Sequence, residues 1–348
     1  MELKELMLSL CSLMSISGHE WKSHDKVKAL VGDSFDEIKT DAVGNLTLIR
    51  RCGKENPAKI MIDAHFDEIG MIVTDIHEGG FLSVTSIGGL DEAILQASDV
   101  VIYGKETLRG IIASTPPHLQ KSDEEKKLSE ISALLIDTGY EKEDLEELVS
   151  IGTPVGFAPR YTELLGENMS GKSFDDKACA AAAIYALSQI KKEELAGDVY
   201  LQLSCHEETV RIGGAAVGAF TVAPDYAMVI DVNLAAVPDT PRHETVDYGA
   251  GVSIAISAIT DRKLTKMTEA LCKDKEIKYT RVAAPSSTGT NTPVMNLAGR
   301  GVPTVDIGLP LKNMHTYNET LNMSDVRELV KLVCEFVKSS EIKEALAI

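Results

Sequence analysis

The stretch Lys59-Ile60-Met61-Ile62-Asp63-Ala64-His65-Phe66-Asp67-Glu68-Ile69-Gly70 is a short apolar run, interrupted by Asp63, with polar residues gathered directly behind it. Its first residues, Lys59–Asp63, read as a β-strand. In an extended chain residues i and i+2 face the same way, so His65 and Asp67 point together while Phe66 faces the other side. What kind of sheet this strand enters depends on the rest of the chain.

Towards the C-terminus the pattern alternates. Helices are expected at Asp175–Lys191 (with the small-residue run Ala178–Ala183), Ala215–Thr221, Asp261–Lys273, Thr292–Ala298 and Val326–Val337. Strands are expected between them at Val199–Ser204, Tyr226–Asp231, Lys278–Val282 and Thr304–Ile307. Such alternation predicts an α/β fold, a mixed sheet covered by helices on both faces. Towards the N-terminus, Glu2–Met14 and Trp21–Val31 read as helices, followed by strands Glu37–Lys39 and Leu46–Ile49 around a Gly44-Asn45 turn. Between Gly70 and Tyr161 the texture changes to short β-rich pieces punctuated by Gly79-Gly80, Gly88-Gly89 and Gly104, with a solvated loop at Gln120–Glu130 and an acidic helix at Lys142–Ser150. The expected organisation is therefore a catalytic α/β domain of residues 1–69 and 162–348, interrupted by an inserted β-rich domain of residues 70–161.

Composition narrows the function. The 348 residues are 44% hydrophobic and 25% charged, the balance of an ordinary globular chain with a sizeable core. With 35 Lys plus Arg against 53 Asp plus Glu, the net charge is −18. Such a surface repels phosphate backbones and anionic membranes, so neither nucleic acid nor membrane is an expected partner. The six cysteines form no C-x-x-C pair and fit reduced core positions of a cytoplasmic protein. The N-terminal segment lacks the basic start and cleavage site of a signal peptide, and no apolar run approaches the ~18 residues of a membrane span.

Five polar spots fall at expected strand ends or tight turns: His65-Phe66-Asp67-Glu68, Asp175-Asp176, His206-Glu207-Glu208, Asp231 and His315. Open α/β sheets bind ligands beyond the carboxyl ends of their strands. Each spot alone has a plainer reading: a histidine in an ordinary hydrogen bond, an acidic pair opening a helix. Together they suit Zn²⁺, Co²⁺ or Mn²⁺ bound by imidazole and carboxylate without thiolate. A carboxylate between two ions is the usual bridge where metals lie ~3.5–4 Å apart.

The chain resembles the M42 family of metallo-aminopeptidases. The resemblance is carried by Ala64–Gly70 (AHFDEIG), Gly171–Lys177 (GKSFDDK), His206–Ala215 (HEETVRIGGA), Val229–Val232 (VIDV) and Gly308–Glu319 (GLPLKNMHTYNE), with Ser15–Glu20 and Thr40–Leu46 matching as well, in order along the whole chain. It implies a co-catalytic metallopeptidase with two divalent ions per subunit, zinc or cobalt with manganese as a third option, acting on short peptides. It implies that His65, Glu208, Asp231 and His315 bind metal with Asp175 bridging. Asp67 would orient His65, and Glu207 would be the general base. It also implies a cis Asp175–Asp176 peptide, and a β insertion that assembles subunits into a homo-oligomer of up to a dodecamer. The chain departs from the family pattern at Lys177, where arginine is common, at Asn291, where aspartate is usual, and at His206, where an uncharged polar residue is usual; none is an inferred ligand.

Two other functions compete. A metal-dependent hydrolase of another amide or of a glycosidic bond could use the same fold. The glycosidic version wants paired carboxylates and aromatic sugar platforms, yet only 5% of residues are aromatic and Trp21 is the single tryptophan. A non-catalytic metal-binding assembly would be expected to lack Glu207, which is present. Arg211 and Lys312 stand near the expected site loops and are candidates to pair an acidic substrate side chain.

Overall fold

The computed structural model describes residues 1–114, 131–209 and 213–346. The expected Gln120–Glu130 loop and Arg211 lie outside the described residues.

The strand Lys59–His65 lies inside an eight-stranded mixed sheet. Across that sheet the order is Glu37–Thr40, Leu46–Arg50, Asp198–Ser204, Lys59–His65, Tyr226–Leu234, Thr304–Leu311, Val252–Ser257 and Tyr279–Ala284. The four central strands, Asp198–Ser204 through Thr304–Leu311, run parallel, and the sheet turns antiparallel on both sides of them. Alternation along the central strand feeds two layers. Ile60, Ile62 and Ala64 join the larger core with the helices Leu3–Cys11, Phe174–Gln189 and Met323–Lys338. Met61 joins a smaller core with the helices Gly214–Val222 and Thr292–Leu297. The helix Phe174–Gln189 is buried almost all round. Its run Ala178–Ala183 carries side chains small enough for the helix to lie close against the sheet on one side and two helices on the other.

Register sets the level of the site. Ser204 pairs with His65 and Val229 with Asp63, so Asp231, two residues on, comes level with His65 at the carboxyl edge. Strands run further than expected here: Tyr226 continues to Leu234 and Thr304 to Leu311. Asp231 therefore sits within its strand rather than closing it. The expected helix Trp21–Val31 begins as a 3-10 turn, Glu20–Ser23, before the α-helix His24–Val31. The short strands Asn168–Gly171 and Glu319–Asn322 were not expected, because their strand character comes from pairing with each other rather than from a run of strand-formers; Val252–Ser257, though alternating Val-Ser-Ile-Ala-Ile-Ser, was not expected either.

Residues 70–157 contain a closed six-stranded barrel, ordered Gly70–His77, Phe81–Ile87, Leu135–Asp137, Thr107–Ile112, Asp99–Tyr103 and Pro154–Phe157. It has its own core, including Met71, Leu82, Ile102 and Ile136. Its first hairpin needs glycine. Gly80 has φ +73°, and a Cβ there would lie 1.9 Å from the Tyr140 carbonyl oxygen. The barrel reaches the large sheet's edge at two points: the rings of Phe157 and Tyr317 lie 5.5 Å apart, and Gly89 packs on the His315 imidazole. All six cysteines are free. Among the described residues no helix is long and apolar enough to cross a membrane.

Candidate metal centre

His65 ends its strand 2% exposed, and its two ring nitrogens meet different partners. Nδ1 lies 3.0 Å from the Asp67 carbonyl oxygen, while Nε2 lies 2.9 Å from Asp175 Oδ1 and 3.7 Å from Asp231 Oδ1. Fixing one nitrogen on a carbonyl aims the other into the centre. Asp175 presents its second oxygen to another imidazole, with Oδ2 3.4 Å from His315 Nε2. His315 Nε2 in turn lies 3.3 Å from Glu208 Oε2. The peptide between Asp175 and Asp176 is cis.

Two overlapping groups could each hold a metal ion: His65, Asp175 and Glu208, and His65, Asp176 and Asp231, with the ligand atoms of each group within 4.8 Å of one another. Asp176 was not among the expected ligands. It is fully buried, and neither carboxylate oxygen has a hydrogen-bond partner. A buried carboxylate left without partners is costly unless a cation faces it.

The electrostatics point the same way. Burial, followed by the charge of Asp176, drives Asp231 well above the usual carboxylate range. Burial does the same to Asp176, and it raises Glu208 despite the hydrogen bond from His315. Hydrogen bonds that it donates to Asp175 and Glu208 raise His315 to about 11. Burial disfavours charge on His65, yet Asp175, Asp67 and Asp231 outweigh it and pull that imidazole well above its ordinary value. With protons as the only cations, the centre gathers them; this donor set of imidazole and carboxylate fits divalent metal ions.

Glu207 and Glu208 follow the strand rather than extend it. The strand stops at Ser204, and His206, with φ +63°, turns the chain, so both glutamates sit on a turn. Asp67 holds that turn. Its Oδ1 and Oδ2 accept the backbone N–H groups of Glu207 and Glu208, each at 3.1 Å. The Asp67 carbonyl thus positions His65, and its carboxylate positions the glutamates. Glu207 is raised to about 7, by burial first and then by the charges of Glu208, Asp175 and Asp67, with His65 opposing.

Three supports escaped the sequence reading. Buried Glu68 accepts hydrogen bonds from Ser15 N at 2.9 Å and from Lys172 Nζ and Ser173 Oγ, and lies 3.2 Å from Lys177 Nζ. Glu319 Oε2 accepts from the N–H groups of Phe174 and Asp175 at 2.7 and 3.2 Å, and its Oε1 accepts from His315 N at 3.2 Å. Asn291 Nδ2 donates to Asp63 Oδ2 at 2.9 Å and to Ser204 Oγ at 3.1 Å, beneath the His65 layer. An amide donor suits that place, since burial already pushes Asp63 up to about 6 and a second carboxylate would repel it. The one sequence signal was that Glu68 lies within one of the quoted motifs and Glu319 closes another.

The centre opens into a cleft of about 830 Å³, lined by His65, Asp175, Glu207, Glu208, Asp231 and His315 and by the 282–289 loop, which is room for a short peptide end. Lys312 is not among the lining residues; its Nζ lies 3.7 Å from the Tyr248 ring centre.

A carboxylate–imidazole centre at the carboxyl edge of a parallel sheet with helices on both faces is the architecture of the co-catalytic metallohydrolases. The chain belongs to the M42 family: the family model for M42 glutamyl aminopeptidases matches residues 44–332. It is 30% identical over 334 residues to the lysyl aminopeptidase of Pyrococcus furiosus, covering 94% of each chain. It superposes on a TET aminopeptidase from a marine sediment archaeon of the Thaumarchaeota with a TM-score of 0.91 at 29% identity, over 99% of this chain and 98% of the other. A TET1 peptidase of Pyrococcus horikoshii, which can assemble into a tetrahedron or a large octahedral shell, matches with a TM-score of 0.85 at 28% identity, over 97% and 99% of the two chains. The protein is an aminopeptidase, a hydrolase that removes residues from peptide N-termini.

One prediction concerns the scaffold. Burial pushes Glu68 up, but Lys172 and Lys177 more than reverse this and lower it from the ordinary 4.5 to about 2. Because the folded value lies below the ordinary one, ionised Glu68 stabilises the fold above about pH 4.5, and that contribution is lost as the pH falls towards 2. Glu68→Gln, which leaves two buried lysines uncompensated, should cost ~3 kcal/mol at neutral pH and flatten the acid limb of the stability curve. Denaturant melts of both proteins from pH 7 to pH 3 check this. Identical curves would mean that Glu68 does not hold the lysines.

Proposed function

We propose that this aminopeptidase works with two divalent ions per subunit, zinc or cobalt with manganese as a third option, held by His65, Asp175, Glu208, Asp231 and His315 with Asp175 as the bridge. The observation that carries the reading is the Asp175 carboxylate, whose two oxygens face two different imidazoles. When bound, the ions supply Lewis acidity that polarises the scissile carbonyl and acidifies water. Glu207 takes the proton of the attacking water and returns it to the leaving amine. Its buried position, which raises it to about 7, suits a group that exchanges protons near neutrality. Asp67 is a positioning residue: it holds Glu207 and Glu208 by their amides and His65 through its carbonyl. Lys172 and Lys177, though close by, are engaged with Glu68 rather than turned to the cleft. The substrates are short peptides, whose ends the cleft can admit.

Asp67's clamp on two adjacent amides also separates two adjacent roles. Glu207→Gln keeps shape and hydrogen bonding but cannot accept the proton, so kcat should fall ~10²–10⁴-fold with metal content unchanged. Glu208→Gln should instead weaken metal retention, because a neutral amide is a poorer ligand than a carboxylate. Elemental analysis with single-turnover rates on aminoacyl anilides distinguishes the two. Metal loss in Glu207→Gln with retention in Glu208→Gln would reverse the roles, and full activity in both would remove the pair from the reaction.

We also propose that the subunit is built into a homo-oligomer, up to a dodecamer, with residues 70–161 acting as an assembly domain inserted between residues 1–69 and 162–348 of the catalytic domain. The shells formed by the Pyrococcus horikoshii relative support this, as do large apolar side chains left in the open, among them Ile151 at 71% exposure on the barrel side and Phe220 at 74% and Leu297 at 79% on the catalytic side. Sedimentation should find a large assembly for the full chain, and a smaller one when the insertion is replaced by a short linker. A monomeric full chain would contradict the proposal.

A further inference from the structure

The turn that carries Glu207 has a second face. Cys205 and His206 precede the two glutamates, and Glu20, the first residue of the 3-10 turn Glu20–Ser23, packs against them from the N-terminal segment. Cys205 Sγ lies 3.6 Å from His206 Nδ1, and Glu20 Oε1 accepts the backbone N–H of His206 at 3.2 Å. One ligand atom from each of the three residues lies within 4.8 Å of the others. The bonds a zinc ion makes, ~2.0–2.3 Å to oxygen, nitrogen and sulfur, span that spacing, with room for water as a fourth ligand. Glu20 and Cys205 are 2% and 1% exposed, whereas His206 is half-buried, so the group opens to solvent on the imidazole side.

The surroundings favour a cation. The Cys205 thiol donates to Val43 O and Asn45 Oδ1 at 3.2 and 3.4 Å, so electronegative oxygens line the buried side of the group. Burial, with the nearby charge of Asp67, holds Glu20 up at about 7. Burial, then Glu20, Asp67 and Asp41, push the Cys205 thiol upward. Negative charge is thus crowded around a carboxylate, a thiol and an imidazole of three different chain positions, none of which belongs to the catalytic centre.

We propose that Glu20, Cys205 and His206 form a further metal site, separate from the catalytic centre and suited to a thiolate-binding divalent ion such as Zn²⁺ or Co²⁺. On binding, the S–H bond of Cys205 breaks, its proton passes to solvent, and the sulfur lone pair forms the bond to the ion; no electron changes hands. The donor set includes a sulfur, which the oxygen-and-nitrogen catalytic centre lacks, so this site is the softer of the two. A bound ion ties the N-terminal segment at Glu20 to the turn that carries Glu207 and Glu208.

Cobalt tests the assignment, because a thiolate on Co²⁺ gives a near-ultraviolet charge-transfer band that imidazole and carboxylate ligands do not. Chelator-stripped full-length protein is titrated with Co²⁺, alongside Cys205→Ser and the more conservative His206→Gln, with each variant's fold checked by its melting curve. The wild type should develop the band and bind one more equivalent per subunit than Cys205→Ser, which should show no band; His206→Gln should require a higher Co²⁺ concentration for the same band. Absence of the band in the wild type, or its persistence in Cys205→Ser, would overturn the site. Because the band reports thiolate alone, either result leaves the catalytic assignment standing on its own test.

Discussion

A carboxylate taken out of water must find a cation, a proton or several hydrogen-bond donors, and the largest single demand of this kind in the protein is at the carboxyl edge of the parallel strands. Asp175, Asp176, Asp231 and Glu208 converge there on two imidazoles. The desolvation of such groups costs several kcal/mol each, more than neutral side chains around them can return. Asp175 meets the demand with two imidazoles, whereas Asp176 meets it with no hydrogen bond at all. Protons can meet that demand in part, and divalent ions, as proposed above, would meet it while supplying the chemistry a peptide hydrolase needs.

The rest of the structure keeps these groups from drifting apart. Glu319 joins the backbone before Asp175 to the backbone of His315, so the bridging carboxylate and one of its imidazoles move together. Asp67 does the same for His65 and the Glu207–Glu208 turn. Glu68, with Lys172 and Lys177, anchors the residue preceding Phe174 to the segment just beyond His65. Three acidic residues outside the proposed ligand set thus fix four of its five members, while Asp231 is held within its own strand. Lys177 at the arginine-favoring position and Asn291 at the aspartate-favoring one are both absorbed by these buried networks, as partners of Glu68 and Asp63.

Much of the sheet was legible because its central strands are largely apolar runs, and the site spots stood out because polar residues gather at their ends. The structure brings His65, Asp175, Glu208, Asp231 and His315, the set implied by the family resemblance, together at one edge of the sheet. What was not legible depends on contacts made across the chain. Glu68 reaches Lys172 and Glu319 reaches Phe174, partners over a hundred residues away, so the local pattern marked the two glutamates only as motif members and not as supports of the site. The turn beyond the strand Asp198–Ser204 was not legible either: the left-handed backbone at His206 sets Glu207 and Glu208 on a turn held by Asp67, a partner far away in the chain.

The most direct measurement is a paired one on the intact protein: calorimetric melting and hydrolysis of an aminoacyl anilide, each in excess chelator and after adding back Zn²⁺ or Co²⁺. Ligands that bind only the folded state stabilise it by about 2.7 kcal/mol at a hundredfold excess over Kd. The account predicts that chelation lowers the melting temperature and abolishes hydrolysis, and that added metal restores both. Full hydrolysis and an unchanged melting temperature in chelator, with no metal found by elemental analysis, would contradict it.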